Sequence, residues 1–239
     1  MVARPLSTYE AMPSRVILEG RSVRLEPLGL EHVPGLVNAA IEDRESYAYT
    51  HVPDSLHSME TYVREALTAE ETGSQLPFAV RSRRSEQIVG STRFLDLDYW
   101  EWPPAWPPDM VISKPNAVPN VAEIGSTWLA QSAQRTGCNT EAKLLMLQLA
   151  FDEWGVHRVT LKTDARNARS RAGIEGLGAS FEGIRRAHIR ATDGGIRDTA
   201  YYSIVRSEWP VVAAGLKNRL AARWSQAETA RGSADVPTG

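Results

Sequence analysis

The residues from Gln134 to Thr140 combine a glycine, an arginine and the start of a helical pattern, which together can bind an anion. The run follows a strand-like segment, Glu123 to Leu129, and leads into an apolar-periodic helix, Ala142 to Trp154. The first turn of a helix leaves backbone N–H groups unpaired and carries the positive end of the helix dipole, so a phosphate finds several donors there. Gly137 lets the backbone approach the anion closely. The turn therefore predicts a phosphate site. The alternative is that it only links a strand to a helix and binds no ligand, as many strand-turn-helix units with one glycine do.

The turn is followed by a further strand and a further helix in a recognisable order. A strand, Arg158 to Thr163, precedes Asn167-Ala168-Arg169-Ser170, which opens a second helix that closes at Leu177-Gly178-Ala179. With Q-x-x-G-x-N-T-E-A in the turn, this order resembles the GNAT superfamily of acyl-CoA-dependent N-acyltransferases, and most of all the branch with the ribosomal-protein N-terminal acetyltransferases. The resemblance runs from about Gly20 to Trp209. It implies an α/β (mixed α+β) domain with a central, mixed, splayed sheet of about six to seven strands flanked by helices.

The resemblance also implies acetyl-CoA, or another acyl-CoA, as co-substrate. The turn would hold the pyrophosphate, and the pantetheine arm would lie beside the end of the strand, with Asn167 bonding one of its amides. Asn167 could equally be only the N-cap of its helix. The family usually has Gly or Ala where this chain has Asn139, and Asn tolerates a positive φ, so the turn is expected to survive. The expected cofactor-binding residues are Trp128, Leu129, Gln134, Arg135, Thr136, Gly137, Cys138, Asn139, Thr140, Asn167 and Arg169.

Glu123 is the expected general base, because the superfamily often places a carboxylate on the strand beside the acyl site. An α-amine has a pKa of about 7.7–8.0, so a carboxylate acting directly or through water suffices to deprotonate it. A solvated glutamate at the edge of a strand is the alternative. Many relatives protonate the departing thiolate with a tyrosine on the second helix, but this chain has Ile174 there. Ser170, the hydroxyl in the first turn of that helix, is then the candidate acid.

Cys138 suggests a second route, through an acyl-enzyme, because helix N-termini lower the pKa of a thiol. The phosphate would occupy the same helix N-terminus, and the resemblance implies direct transfer in a ternary complex. Direct transfer is therefore expected.

The amine acceptor is expected between two irregular segments. Aromatic rings from both could present π-faces to an amine or a flat ring. The alternative is that the tryptophans pack on the surface of the domain itself or in a homodimer contact. The candidate residues are Tyr47, Tyr49 and His51 from the early loop, and Trp100, Trp102 and Trp106 from the Trp/Pro-rich loop, 98–120.

Composition narrows the class of protein. The net charge is −2 over 239 residues, so no overall attraction to nucleic acid or to an anionic membrane is expected. The single cysteine, Cys138, excludes an intramolecular disulfide, and no pair of histidines has metal-ligand spacing, so no metal is expected. No run of about 18 apolar residues and no signal-peptide pattern occurs, which favours the cytoplasm.

We expect four segments along the chain: a loose arm (1–15), the acyltransferase domain (16–206), a C-terminal helix (207–224) and a polar tail (225–239). Two functions stay open. One is an enzyme that moves an acetyl or related acyl group from acyl-CoA to a primary amine, on a protein N-terminus or a small molecule. The other is an inactive CoA-binding module that acts as a sensor or interaction partner.

Overall fold

A computed structural model describes residues 15–100 and 118–234, and side chains except those of residues 227 and 230–234. In this part of the chain the strands form one eight-stranded sheet in the order β1-β2-β3-β4-β5-β6-β8-β7. All neighbouring strands are antiparallel except β5 and β6, which are parallel. The strands are β1 (Leu18–Glu19), β2 (Val23–Pro27), β3 (Leu76–Ser82), β4 (Ile88–Asp98), β5 (Val121–Leu129), β6 (Arg158–Asp164), β7 (Ser180–Arg190) and β8 (Ile196–Val205).

Five α-helices flank this sheet in the described ranges: α1 (Val33–Ile41), α2 (Leu56–Glu71), α3 (Cys138–Gln148), α4 (Ala168–Glu175) and α5 (Trp209–Ala234). A π-helical turn, Leu149–Trp154, continues α3. Adjacent residues of β4 show which helices lie on which face, because successive strand side chains point to opposite sides. The Arg93 guanidinium lies over the ring of Tyr62 on α2, whereas the Thr92 hydroxyl contacts Met146 on α3. Thus α2 and α3 cover opposite faces of the sheet.

The first turn of α3 is fixed to the turn between β1 and β2 by a buried carboxylate. Glu141 is 3% exposed and accepts backbone N–H groups of Arg21 at 2.6 Å, Ser22 at 2.6 Å and Val23 at 3.1 Å. Hydrogen bonds to a charged group stabilise a fold by about 1.5–3 kcal/mol each. A carboxylate in the first turn also interacts favourably with the helix dipole. The start of α3 is therefore held firmly.

The mixed, splayed sheet expected from the sequence is confirmed, with differences in detail. It has eight strands rather than six to seven, because the two-residue β1 pairs with β2. Helix α2 is capped by Ser55, and Ser58 serves as the third residue of its capping box. Helix α5 continues to Ala234, so the expected polar tail from residue 225 is wrong as far as residue 234. Its Ala, Gln, Glu and Arg residues are good helix formers.

Candidate active site

The sheet opens between the two parallel strands. Val121, Ala122 and Glu123 of β5 pair with Arg158, Val159 and Thr160 of β6, and the pairing stops there although both strands continue. The carboxyl-terminal half of β5 therefore has no neighbouring strand along one edge. Such a gap can accept an extended, amide-bearing chain by hydrogen bonding to its backbone.

A β-bulge lies in this open half of β5. The register with β4 shifts from the pair Arg93 and Gly125 to the pair Ser91 and Trp128, so Ser126 and Thr127 form the bulge. Ser126 has a φ of 45° and is exposed. A bulge redirects backbone groups out of the ladder, and bulges are common next to active sites.

The turn before α3 has the geometry of an anion site. Gly137 is the N-cap with a φ of 100°, and Arg135 has a φ of 58°. Within the described residues, the backbone N–H groups of Gly137, Asn139 and Thr140 have no hydrogen-bond acceptor. These free donors converge at the positive end of α3, where a phosphate would bind them.

Two expectations about this turn need correction. Asn139 does not adopt a positive φ, because the helix already starts at Cys138 and the left-handed positions are Arg135 and Gly137. Cys138 is 6% exposed, and burial raises the pKa of its thiol. A nucleophilic cysteine needs a lowered pKa, so the acyl-enzyme route finds no support here.

Gln134 and Arg169 tie the turn to its surroundings. The Gln134 amide donates to the carbonyl of Leu129 at 2.9 Å and to the Ser46 hydroxyl at 3.2 Å. The Arg169 guanidinium donates to the Gln134 amide oxygen at 3.3 Å and to the Ser46 carbonyl. Helix α4, the turn before α3 and the early loop around Ser46 are therefore joined around the open end of the sheet. The exposed Arg135 and the Thr136 hydroxyl, which donates to Ala133 at 2.5 Å, complete the turn.

Asn167 is the N-cap of α4, as one of its two expected roles requires. Its side-chain oxygen accepts the backbone N–H of Ser170 at 3.0 Å. Two lone pairs on that oxygen and a free NH₂ leave capacity for a further partner. Ser170 is partly buried in the first turn of α4. Both side chains thus lie beyond the carboxyl end of β6, across the gap from the end of β5.

Glu123 is buried inside the sheet, so the alternative of a solvated strand-edge glutamate is wrong. It is 3% exposed on β5, which lies between β4 and β6, and its carboxylate contacts the Lys162 ammonium at 2.7 Å. Burial raises the pKa of Glu123 to about 7, although Lys162 opposes that shift. A carboxylate with such a pKa can take up a proton near neutral pH.

The Glu123 carboxylate opens onto a cavity of about 450 Å³. Asp96, Asp98 and Tyr201 are among its other lining residues. Trp100 lies near this cavity: its indole N–H donates to Asp98 at 3.2 Å, and its ring stacks on His157 with centroids 5.4 Å apart. Trp102 and Trp106 fall outside the described residues.

The early loop forms a different cavity, of about 390 Å³, which Tyr47 and His51 line. Tyr47 is largely structural: it is 7% exposed, its hydroxyl donates to Leu129 at 3.0 Å, and its ring contacts Trp128 edge-on. Tyr49 stacks under the Arg166 guanidinium. The described residues therefore do not combine the early loop and Trp100 in one cavity.

Comparisons with known proteins agree with this geometry. The family model of the GNAT acetyltransferase domain matches residues 22–180. This chain belongs to the GNAT acetyltransferase family. Its members are acyl-CoA-dependent N-acyltransferases.

Three known proteins are similar to this chain. YdaF of Bacillus subtilis (strain 168), provisionally named a ribosomal N-acetyltransferase, is 34% identical to this chain over 88 residues. The aligned part covers 37% of this chain and 47% of YdaF. That likeness confirms the expected resemblance to the ribosomal-protein branch. A GCN5-related N-acetyltransferase from Brucella melitensis is 30% identical with a TM-score of 0.69, covering 86% of both chains. Mycobacterium smegmatis RimJ, solved with CoA-disulfide, shares the fold at 20% identity and a TM-score of 0.67, covering 84% of this chain and 90% of RimJ.

The GNAT domain also contains two lysines that the sequence analysis missed. Lys162 pairs with Glu123, and Lys143 is buried within α3. The position of Lys143 inside the apolar run from Ala142 to Leu147 could have indicated from the sequence that this lysine is buried. The ion pair of Lys162 with Glu123 could not be foreseen, because it depends on the pairing of β5 with β6. In the described ranges, no helix is long and apolar enough to span a membrane, and no group of three His, Cys, Asp or Glu could hold a metal ion.

Proposed function

We propose that this GNAT protein transfers an acetyl group from acetyl-CoA to the α-amine of a protein N-terminus, by direct attack in a ternary complex. The buried Glu123 carboxylate, beside the open half of β5 and facing a cavity, carries the proposal. Its pKa of about 7 suits an α-amine, which ionises at about 7.7–8.0, better than a lysine side chain at about 10.4. The likeness to YdaF supports the same class of acceptor.

Different residues of this chain would bind the cofactor and transfer the proton. The free N–H groups of Gly137, Asn139 and Thr140 would bind the pyrophosphate, and Arg135 adds charge beside them. The edge of β5 beyond its last pair with β6, together with the Asn167 amide, would hold the pantetheine arm in an extended form. Glu123 then accepts the amine proton, directly or through water, while the amine nitrogen attacks the acyl carbon and the carbon–sulfur bond breaks.

A panel of amines tests this proposal. Acetyl-CoA turnover would be followed by thiol release with short peptides that have a free α-amine, with the same peptides N-terminally blocked but containing lysine, and with small amines. We expect turnover only where the α-amine is free. Turnover of small amines alone would redirect the proposal to a small-molecule acceptor. CoA binding without turnover of any amine would favour an inactive CoA-binding module.

The Trp/Pro-rich loop is expected to form part of the acceptor wall. Trp100→Ala, alone or with Trp102→Ala, should raise KM for the acceptor and leave CoA affinity nearly unchanged, because Trp100 contacts Asp98 at the Glu123 cavity. Trp100→Phe, which keeps a ring to stack on His157, is the matched control and should change KM less. Normal kinetics together with a changed oligomeric state in the alanine variants would instead assign these tryptophans to a dimer contact.

A further inference from the structure

On the α4 side of the gap between β5 and β6, this chain lacks the tyrosine that many relatives use to protonate the departing thiolate, and Ser170 is the hydroxyl in the first turn of the helix there. Ile174, at the position where many relatives carry a tyrosine, is apolar and 8% exposed. Helices α3 and α4 share one face of the sheet, since α5 packs on the start of α3 and on the turn that follows α4: Arg223 lies over Gly137 and Val212 over Gly178. A donor from α3 would therefore approach the same gap from the other side.

Lys143 on α3 is a buried lysine without an acidic partner among the described residues. Its side chain is 4% exposed, and its ammonium donates to the hydroxyls of Thr127 at 2.5 Å and Thr92 at 3.0 Å. Burying a charged group without a countercharge costs several kcal/mol, so a lysine in this position is expensive for the fold. Burial lowers the pKa of Lys143 to about 7.

Thr127 connects this lysine to the open gap. It belongs to the bulge of β5, beyond the last pair with β6, and it is only partly buried. Because Lys143 donates to the Thr127 oxygen, the hydroxyl proton of Thr127 is left to turn toward another acceptor. The hydroxyls of Thr127 and Thr92 lie 2.8 Å apart and either can donate to the other, whereas the carbonyl of Gly125 is a weaker acceptor at 3.3 Å.

We propose that Thr127 donates the proton to the departing CoA thiolate and that Lys143 behind it positions the hydroxyl and replaces its proton. As the carbon–sulfur bond breaks, the sulfur takes the bond pair and accepts the Thr127 proton. The Thr127 oxygen takes a proton from the Lys143 ammonium, which becomes a neutral amine and is reprotonated from solvent between turnovers. The proposal rests on the acetyl transfer proposed above and assigns its acid.

The surroundings of Lys143 suit this task. A thiol ionises at about 8.5, so proton transfer from a group near 7 is downhill, whereas an ordinary lysine at about 10.4 would hold its proton too tightly. The neighbours on β4 and β5 are the uncharged Thr92 and Thr127. On α3 itself, Glu141 is engaged by the turn between β1 and β2, and Cys138 is a buried thiol of raised pKa. Burial is the cause of the lysine's shift.

The test compares the pH dependence of kcat in wild type and six variants, one of them Ser170→Ala, at saturating acetyl-CoA and peptide. Wild type should lose kcat as the pH rises above about 7, since Lys143 loses its proton. Thr127→Val and Lys143→Met should lower kcat by about 10²-fold and abolish that falling limb, whereas Thr127→Ser should restore both. Thr92→Val removes the other hydroxyl that Lys143 bonds, and kcat of this variant should still fall as the pH rises. Lys217→Met controls for the loss of an exposed lysine. CoA affinity, measured by calorimetry, should be unchanged throughout.

Each result that contradicts the proposed relay points to a different conclusion. Wild-type kcat and an intact falling limb in both Thr127→Val and Lys143→Met would overturn the relay while leaving acetyl transfer in place. Loss of the limb in Ser170→Ala, with the limb intact in Thr127→Val, would assign the acid to Ser170 instead. If Lys143→Met does not fold, the contrast between Thr127→Val and Thr127→Ser decides. A wild type without turnover of any amine would overturn the proposed function and this relay with it.

Discussion

Replacing Glu123 by glutamine should lower kcat by roughly 10²–10⁴-fold with little change in CoA affinity. Glutamine keeps the size and hydrogen bonding of the side chain but cannot accept a proton. The relative loss should shrink as the pH rises toward and above about 8, because the α-amine then deprotonates without help. Initial rates from pH 6 to 9, with calorimetry for CoA, measure both effects.

The sign of the pH dependence follows from the raised pKa of Glu123. The base works only when ionised, so kcat/KM of the wild type should rise with pH as a group with a pKa near 7 loses its proton. In Glu123→Gln, the only remaining rise of kcat/KM with pH should be the one caused by deprotonation of the amine. Lys162 lowers the pKa of Glu123 from 2.7 Å away. Lys162→Met should therefore shift the limb of the base to higher pH.

Glu65→Gln is the matched control, because Glu65 is an exposed glutamate on α2. It should leave the rate at every pH unchanged. Equal activity of Glu123→Gln and wild type near neutral pH would contradict the assignment. His51 of the early loop, or a chain of water molecules, would then be the next candidate base.

The second large effect is expected at Gly137, where valine should weaken CoA binding by more than about tenfold, or 1.4 kcal/mol. The φ of 100° there is unfavourable for a β-branched residue, and the first added carbon would lie 3.0 Å from the Arg223 side chain. Relief of this strain would move the N–H groups that face the phosphate. Calorimetric titration with CoA measures the loss.

Gly215→Val provides the control for that experiment. Gly215 lies on α5 with open space around its Cα and no positive φ, so the same substitution there should leave CoA affinity near that of wild type. Thermal unfolding of both variants shows whether the fold persists. Wild-type CoA affinity in a folded Gly137→Val would remove the phosphate site from the turn before α3.

The elements of the fold were predictable where apolar residues repeat with a clear period. Strands β5 and β6 are close to their expected bounds. The end of α5 was not, because its last ten residues, 225–234, have a polar composition that resembles a tail but favours a helix. The cap of α2 could not be read from the sequence either, since Ser55 and Ser58 bond each other reciprocally and each could begin a helix.

The site was predictable only as far as its local motifs. Gly137 with a positive φ and Asn167 as an N-cap follow from the local sequence. The burial of Glu123 and its contact with Lys162 depend on where β6 lies in the sheet, which a single strand does not reveal. The relation of Lys143 to Thr127 likewise arises from the packing of α3 on β4 and β5.

A crystal structure with a bisubstrate inhibitor, in which CoA is joined through an acetyl spacer to the α-amine of a short peptide, tests the central claim most directly. We expect the pyrophosphate on the N–H groups of Gly137, Asn139 and Thr140, and the sulfur in the gap between β5 and β6. The peptide nitrogen should lie within direct or single-water reach of Glu123. A pyrophosphate bound elsewhere, or a peptide nitrogen on the side of the sheet away from Glu123, would contradict the account.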